Sequence, residues 1–174
     1  MAEVISFKDT IQIRGRPDVL FRSVMDPRRR AKWDPNVREA KFQGEERLGQ
    51  GTLVRIKLPA RMLGLSFIAK YGQYQAPHRG GWESLRPFGP LERLPQGWVF
   101  KPLPGGTAVT LHTSARVRFK WIARPIERVL RSANAQTLLE LQRRVDAQGA
   151  AVLEEAARDY ADKQRAARKN KKTK

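Results

Sequence analysis

FKWIARPIERVLRSANAQTLLELQRRVDAQ, residues 119–148, decides how the rest of the chain must fold. Its apolar residues fall at Phe119, Ile122, Ile126, Val129/Leu130, Ala133, Leu138, Leu141 and Val145. Spacings of three and four, with one slip near Thr137, draw a single stripe along an α-helix. Arginines and glutamines fill much of the remaining surface. Pro125 fits the first helical turn, where its missing N–H would lack a partner anyway. Gly149 is a natural stop or kink. The predicted helix, Pro125–Gln148, is then about 36 Å long at about 1.5 Å per residue. Such a stripe needs a broad apolar partner surface.

The chain before it supplies that surface. EVISFKDTIQI (3–13) alternates with Ile5, Phe7, Ile11 and Ile13 on one side, which reads as a strand. Asp9 interrupts this face, as a bulge, a strand end or a buried carboxylate. GRPD (15–18) is a turn and helix start, followed by the short amphipathic run VLFRSVMD; RRRAKW (28–33) gives one more short helical or turn segment. Strand patterns then follow in VREAKFQG, TLVRIKL, GLSFIAKYGQYQ, GGWESLRP, GWVFKPL and TAVTLHTSARVRF. Gly- and Pro-bearing connections separate them. PFGPLERLPQG (87–97) reads as an irregular loop. Strand, short helices, consecutive strands and a closing helix predict an α+β domain with an antiparallel sheet around that helix.

Composition narrows the chemistry. The 174 residues suit one domain, 1–149, with an Ala- and charge-rich extension over 150–174 that ends in a basic tail. There is no cysteine, which excludes disulfides, thiolate metal sites and cysteine nucleophiles. The start lacks the pattern of a signal peptide, and no apolar run approaches the length needed to span a bilayer. A cytoplasmic protein is expected. Lys and Arg number 35 against 17 Asp and Glu, a net charge of +18. The excess is shared by body and tail, which leaves an anionic membrane surface or nucleic acid open as partners. The two histidines offer no metal-ligand spacing, and no metal or cofactor is expected. P-loop, dinucleotide, GxSxG and HExxH motifs are absent.

PDVLFRSVMDPRRRAKWDPNV (17–37), GQGTLVRIKL (49–58), LPQGWVFKPLPGGTAVTLHTSARV (94–117) and LLELQRRVD (138–146) together resemble the polyketide cyclase/dehydrase and lipid-transport group of the START-like, helix-grip superfamily. The resemblance implies a seven-stranded curved antiparallel sheet gripping the C-terminal helix, with a mostly apolar cavity between. It implies a ligand that is a small hydrophobic molecule (a lipid, quinone or polyketide), with cyclisation or dehydration as the alternative. Trp33 stands where the family commonly has a tryptophan near the pocket mouth.

In such a cavity the concave-face residues Tyr71, Trp82, Trp98 and Phe100 and the helix residues Ile126, Leu130, Leu138 and Leu141 would contact the ligand. Tyr71 and Tyr74, three apart, both face inward only if a bulge intervenes near Gly72. Arg86 continues the alternation of Trp82 and Ser84, as an anchor for a head group or as a surface arginine. His112 shares a strand face with Arg116 and Arg118 and points to solvent; His78 lies in a turn. No residue is assigned a catalytic role.

Overall fold

A computed structural model describes residues 2–172, and their side chains except those of 150–157, 159 and 166–172. β1 (Glu3–Ile13) leads into α1 (Pro17–Met25) and the single turn α2 (Pro27–Arg30). The strands β2 (Glu39–Phe42), β3 (Leu53–Lys57), β4 (Ser66–Gln75), β5 (Arg79–Ser84), β6 (Leu91–Arg93), β7 (Pro95–Leu103) and β8 (Gly106–Val117) follow, and α3 (Lys120–Lys172) closes the chain. The sheet is antiparallel, in the order β1-β8-β7-β5-β4-β3-β2. β6 pairs with the far end of β8, so the sheet has eight strands rather than seven. Its three residues lie inside the stretch expected to be an irregular loop, and are too few to show an alternation.

The alternation in the sequence sets which side of each strand is buried. Ile5, Phe7 and Ile13 of β1, Val54 and Ile56 of β3, Phe67, Ala69 and Tyr71 of β4, and the odd-numbered positions Thr107–Val117 of β8 face the concave side and are buried. Asp9 does not break β1. The strand pairs residue for residue with β8, Asp9 opposite Leu111, and the half-buried carboxylate meets Asn134 instead. The β4–β5 ladder shifts register between Tyr71 and Tyr74. That irregularity lets both tyrosines turn inward, Tyr71 into the core and Tyr74 edge-on against Phe21 at 5.2 Å.

α3 lies across β1 and β8. Leu138 and Leu141 are buried there, with Ile122, Ile126, Leu130 and Val145 half-buried around them. Its bounds differ from expectation at both ends. The helix begins at Lys120, so Pro125 sits in the second turn and forfeits one i→i−4 bond. Phe119 precedes the helix and stacks on Trp121, both exposed, instead of joining the buried stripe. At the other end the helix runs through Gly149 and reaches 53 residues, about 80 Å. A helical glycine costs only about 1 kcal/mol, and the Ala-, Glu- and Arg-rich sequence after it has high helix propensity.

α1 and α2 close the opposite side of the grip. Phe21 packs edge-on against Phe100 at 5.6 Å, and the Tyr71 hydroxyl donates to the Met25 carbonyl at 2.8 Å. The Asp26 carboxylate accepts from the Arg28 amide at 3.0 Å and so caps α2. Capping fixes the turn so that Arg28 and Arg29 remain exposed while Arg30 points inward and is buried.

Candidate functional site

Arg30 is the centre of the concave side. Its guanidinium carbon lies 5.4 Å from the ring centre of Trp98 on β7 and 6.0 Å from that of Trp82 on β5. Nε donates to Asp34 Oδ2 at 2.9 Å, and Nη2 reaches Gln96 Oε1 at 3.4 Å. Both partners of this ion pair are less than a tenth exposed. The carboxylate of Asp34 is further engaged on Oδ1, by the Thr137 hydroxyl and the Asn36 amide, each at 2.9 Å.

Hydrogen bonds carry this cluster to both walls of the grip. Asn36 Nδ2 donates to Thr137 Oγ1 and to the Ala133 carbonyl, both at 2.8 Å, which pins the segment after α2 to α3. Arg61, from the short β3–β4 connection, donates to Asn36 Oδ1 at 2.6 Å. In the other direction Gln96 Nε2 donates to Thr113 Oγ1 at 3.2 Å. Thr113 donates to Asn134 Oδ1 at 2.7 Å, and Asn134 Nδ2 reaches Asp9 at 3.4 Å. One polar layer therefore runs from α2 across the concave face of the sheet to α3. Low dielectric strengthens such a layer when its members are satisfied, and makes any unsatisfied member costly.

Two members are unsatisfied. The indole N–H groups of Trp82 and Trp98 are buried and have no acceptor. Flat rings surround these donors: Phe67 lies 5.4 Å from Trp82 and stacks at 4.3 Å on Phe88 from the β5–β6 connection. Trp98 stacks on Phe100 at 6.2 Å. Burial pushes the Tyr71 phenol well above its usual range, so it stays neutral and donating.

The structure gathers Tyr71, Trp82, Trp98 and Phe100 on one concave surface and sets Leu138 and Leu141, with half-buried Ile126 and Leu130, on the helix facing it. Trp33 is buried as a strut, its indole donating to the Ser23 carbonyl of α1 at 2.9 Å. Arg86 stands apart. β5 ends at Ser84, so the alternation stops there, and Arg86 is exposed beside a small surface crevice with Arg55 and Leu85. His112 faces solvent on the convex side and bonds to Ser6 at 2.9 Å.

Sequence reading missed Arg30, Asp34, Asn36, Gln96, Thr113, Asn134 and Thr137. Strand alternation does place Gln96 and Thr113 on the concave face, beside Trp98 and Leu111. Arg30 and Asp34, four apart, carried the only local signal, and it was hidden in a run of arginines that reads as surface charge.

Open space lies at the edges of the grip. A cleft of about 890 Å³ separates the ends of β1 and β8, at Ile13 and Thr107, from Gln142 and Val145 of α3. Another, of about 700 Å³, runs over the convex face where Gly81 and Gly97 pair without side chains.

A family model described as polyketide cyclase/dehydrase and lipid transport matches residues 4–146. No curated protein sequence matches the chain. Among solved structures, a START superfamily protein from Mycobacterium smegmatis superposes with a TM-score of 0.72 at 12% identity, covering 82% of this chain and 98% of that one. The ZhuI aromatase/cyclase from Streptomyces sp. R1128 superposes with a TM-score of 0.73 at 13% identity, covering 83% and 94%. At these identities the likeness is one of fold.

Proposed function

This chain belongs to the polyketide cyclase/dehydrase and lipid transport family, and from that premise we propose that it binds a small, largely apolar molecule between the concave face of the sheet and α3. One observation carries the reading: two buried indole N–H donors, on Trp82 and Trp98, face the interior of the grip without an acceptor. Buried donors are rarely left unpaired, and each one costs about 1–3 kcal/mol. A ligand that supplied the acceptor would recover that cost, and the surrounding rings would shield its apolar body. The contacts are Tyr71, Trp82, Trp98 and Phe100 from the sheet and Ile126, Leu130, Leu138 and Leu141 from the helix.

Binding is favoured over acid–base catalysis by the state of the buried carboxylate. Asp34 is engaged on both oxygens by Arg30, Thr137 and Asn36. A general base needs an oxygen free to reach substrate. Organic extraction of the purified protein, followed by thermal melting with a panel of apolar aromatics and lipids, tests the proposal. A ligand at a hundred times its Kd stabilises by about 2.7 kcal/mol, a shift of a few degrees or more for a domain of this size. An empty extract together with an unmoved melting temperature for every compound would remove the reading.

A further inference from the structure

We propose that the corner where β8 turns into α3 is a docking surface for an anionic bilayer. Trp121 and Phe119 enter its interfacial layer, and Arg118, Lys120, Arg124 and Arg128 meet its headgroups. The surface is separate from the interior of the grip and does not depend on what is bound there.

Apolar exposure is the first ground. Trp121 is 80% exposed and Phe119 51%, and their rings stack with centroids 6.2 Å apart. Pro125 and Val129 follow Trp121 at i+4 and i+8 and are exposed as well, so they extend the pair along one face of α3. Val4, also exposed, stands on β1 opposite Arg116. A lone exposed side chain such as Leu63 needs no explanation, but a group built on two aromatic rings marks a contact surface. The other three tryptophans, Trp33, Trp82 and Trp98, are buried.

Charge identifies the partner. Carboxylates near the corner are already engaged: Glu83 by Arg93, Glu92 by Arg116 and Glu127 by Arg131. Glu3, opposite Val117 at the start of β1, is the one left. Arg118, Lys120, Arg124 and Arg128 are exposed and form no ion pair among the described residues. Four free cations around apolar rings suit a surface that is anionic outside and apolar beneath. Indole rings settle at that headgroup level. No described helix is long and apolar enough to cross a bilayer, so the contact is interfacial.

Single-stranded nucleic acid is the other polyanion that uses exposed rings. Pro125, Val129 and Val4 offer a base no flat aromatic face, and Phe119 and Trp121 already cover one another. A bilayer accepts aliphatic and aromatic groups alike. It is the partner these side chains favour.

Tryptophan fluorescence reads the contact, because Trp121 is the exposed indole. The full chain is titrated with vesicles of phosphatidylcholine, alone or with phosphatidylserine as about a third of the lipid. Expected are a blue shift, quenching by acyl-brominated lipid, and affinity about tenfold or more higher for the anionic vesicles. Trp121→Ala abolishes the emission change and lowers vesicle pelleting several-fold. Arg124→Gln with Arg128→Gln lowers affinity by a factor of about five for each cation removed. Lys163→Gln with Arg165→Gln removes the same charge about 60 Å along α3, many Debye lengths away, and leaves affinity within about twofold. All these sites are exposed, and thermal melting confirms that the variants are folded. Equal affinity for the two vesicles, equal losses from the two charge pairs, or pelleting with no change in emission would each overturn the proposal. So would failure to bind either vesicle. If a labelled single-stranded oligonucleotide then binds and Trp121→Ala weakens it, the corner is a base-stacking surface instead; a dimer lost in Trp121→Ala would assign it to a second copy of the chain.

Discussion

Replacing Arg30 with methionine lowers the free energy of unfolding by about 3–5 kcal/mol, whereas the double replacement Arg30→Met with Asp34→Leu recovers most of that loss. The single change leaves the Asp34 carboxylate buried against Thr137 and Asn36 with its cation gone. The double change removes both desolvated charges and leaves groups that pack among Trp82 and Trp98. Arg16→Met is the internal reference. Arg16 pairs with Asp18 at a similar 3.1 Å, but its side chain is 81% exposed, so the pair contributes about 1 kcal/mol or less. Denaturant unfolding of the four proteins gives the comparison directly. A loss at Arg30 no larger than at Arg16 would mean that water reaches the guanidinium, and the polar layer would then be an ordinary surface cluster.

Leu141→Ala is the second large effect, expected at about 2–5 kcal/mol, against about 0.5 kcal/mol or less for Leu139→Ala. Leu141 is fully buried and belongs to the core cluster, while Leu139, two positions earlier on the same helix, is 47% exposed. The removed atoms are the same in both cases, so the difference reads the orientation of α3 and nothing else. Equal losses at the two sites would require the helix to be rotated about its axis relative to the sheet.

The sequence made the grip legible because its two periods are long and clean. Alternation over Thr107–Val117 and the three–four spacing from Ile122 to Val145 each span many residues, so burial of one face follows from geometry. β6 was not legible, since three residues between prolines show no period. Nor was the course of α3 beyond Gly149, where propensity outweighed a single glycine. The polar layer escaped for a different reason. Arg28, Arg29 and Arg30 are the same residue type in a row, and only the Asp26 cap and the turn it fixes decide which one points inward. Asn134 and Thr137 sit at the point where the apolar stripe of α3 slips. The slip was visible in the sequence, and the structure gives its cause: these two side chains face Thr113 and Asp34 and carry the polar layer across the helix.

A ligand received in the concave interior would meet the Trp82 and Trp98 indoles. The most direct measurement follows the indole N–H resonances of the uniformly ¹⁵N-labelled protein during titration with 2-acetylnaphthalene, each assigned by a single Trp→Phe variant. There are four tryptophans, in four different settings. Trp33 already donates to the Ser23 carbonyl, and Trp121 is 80% exposed at the start of α3. The Trp82 and Trp98 signals are expected to move downfield together and saturate, as free N–H groups gain an acceptor, while those of Trp33 and Trp121 stay in place. Movement of the Trp121 signal alone, with Trp82 and Trp98 unchanged at saturation, would contradict it.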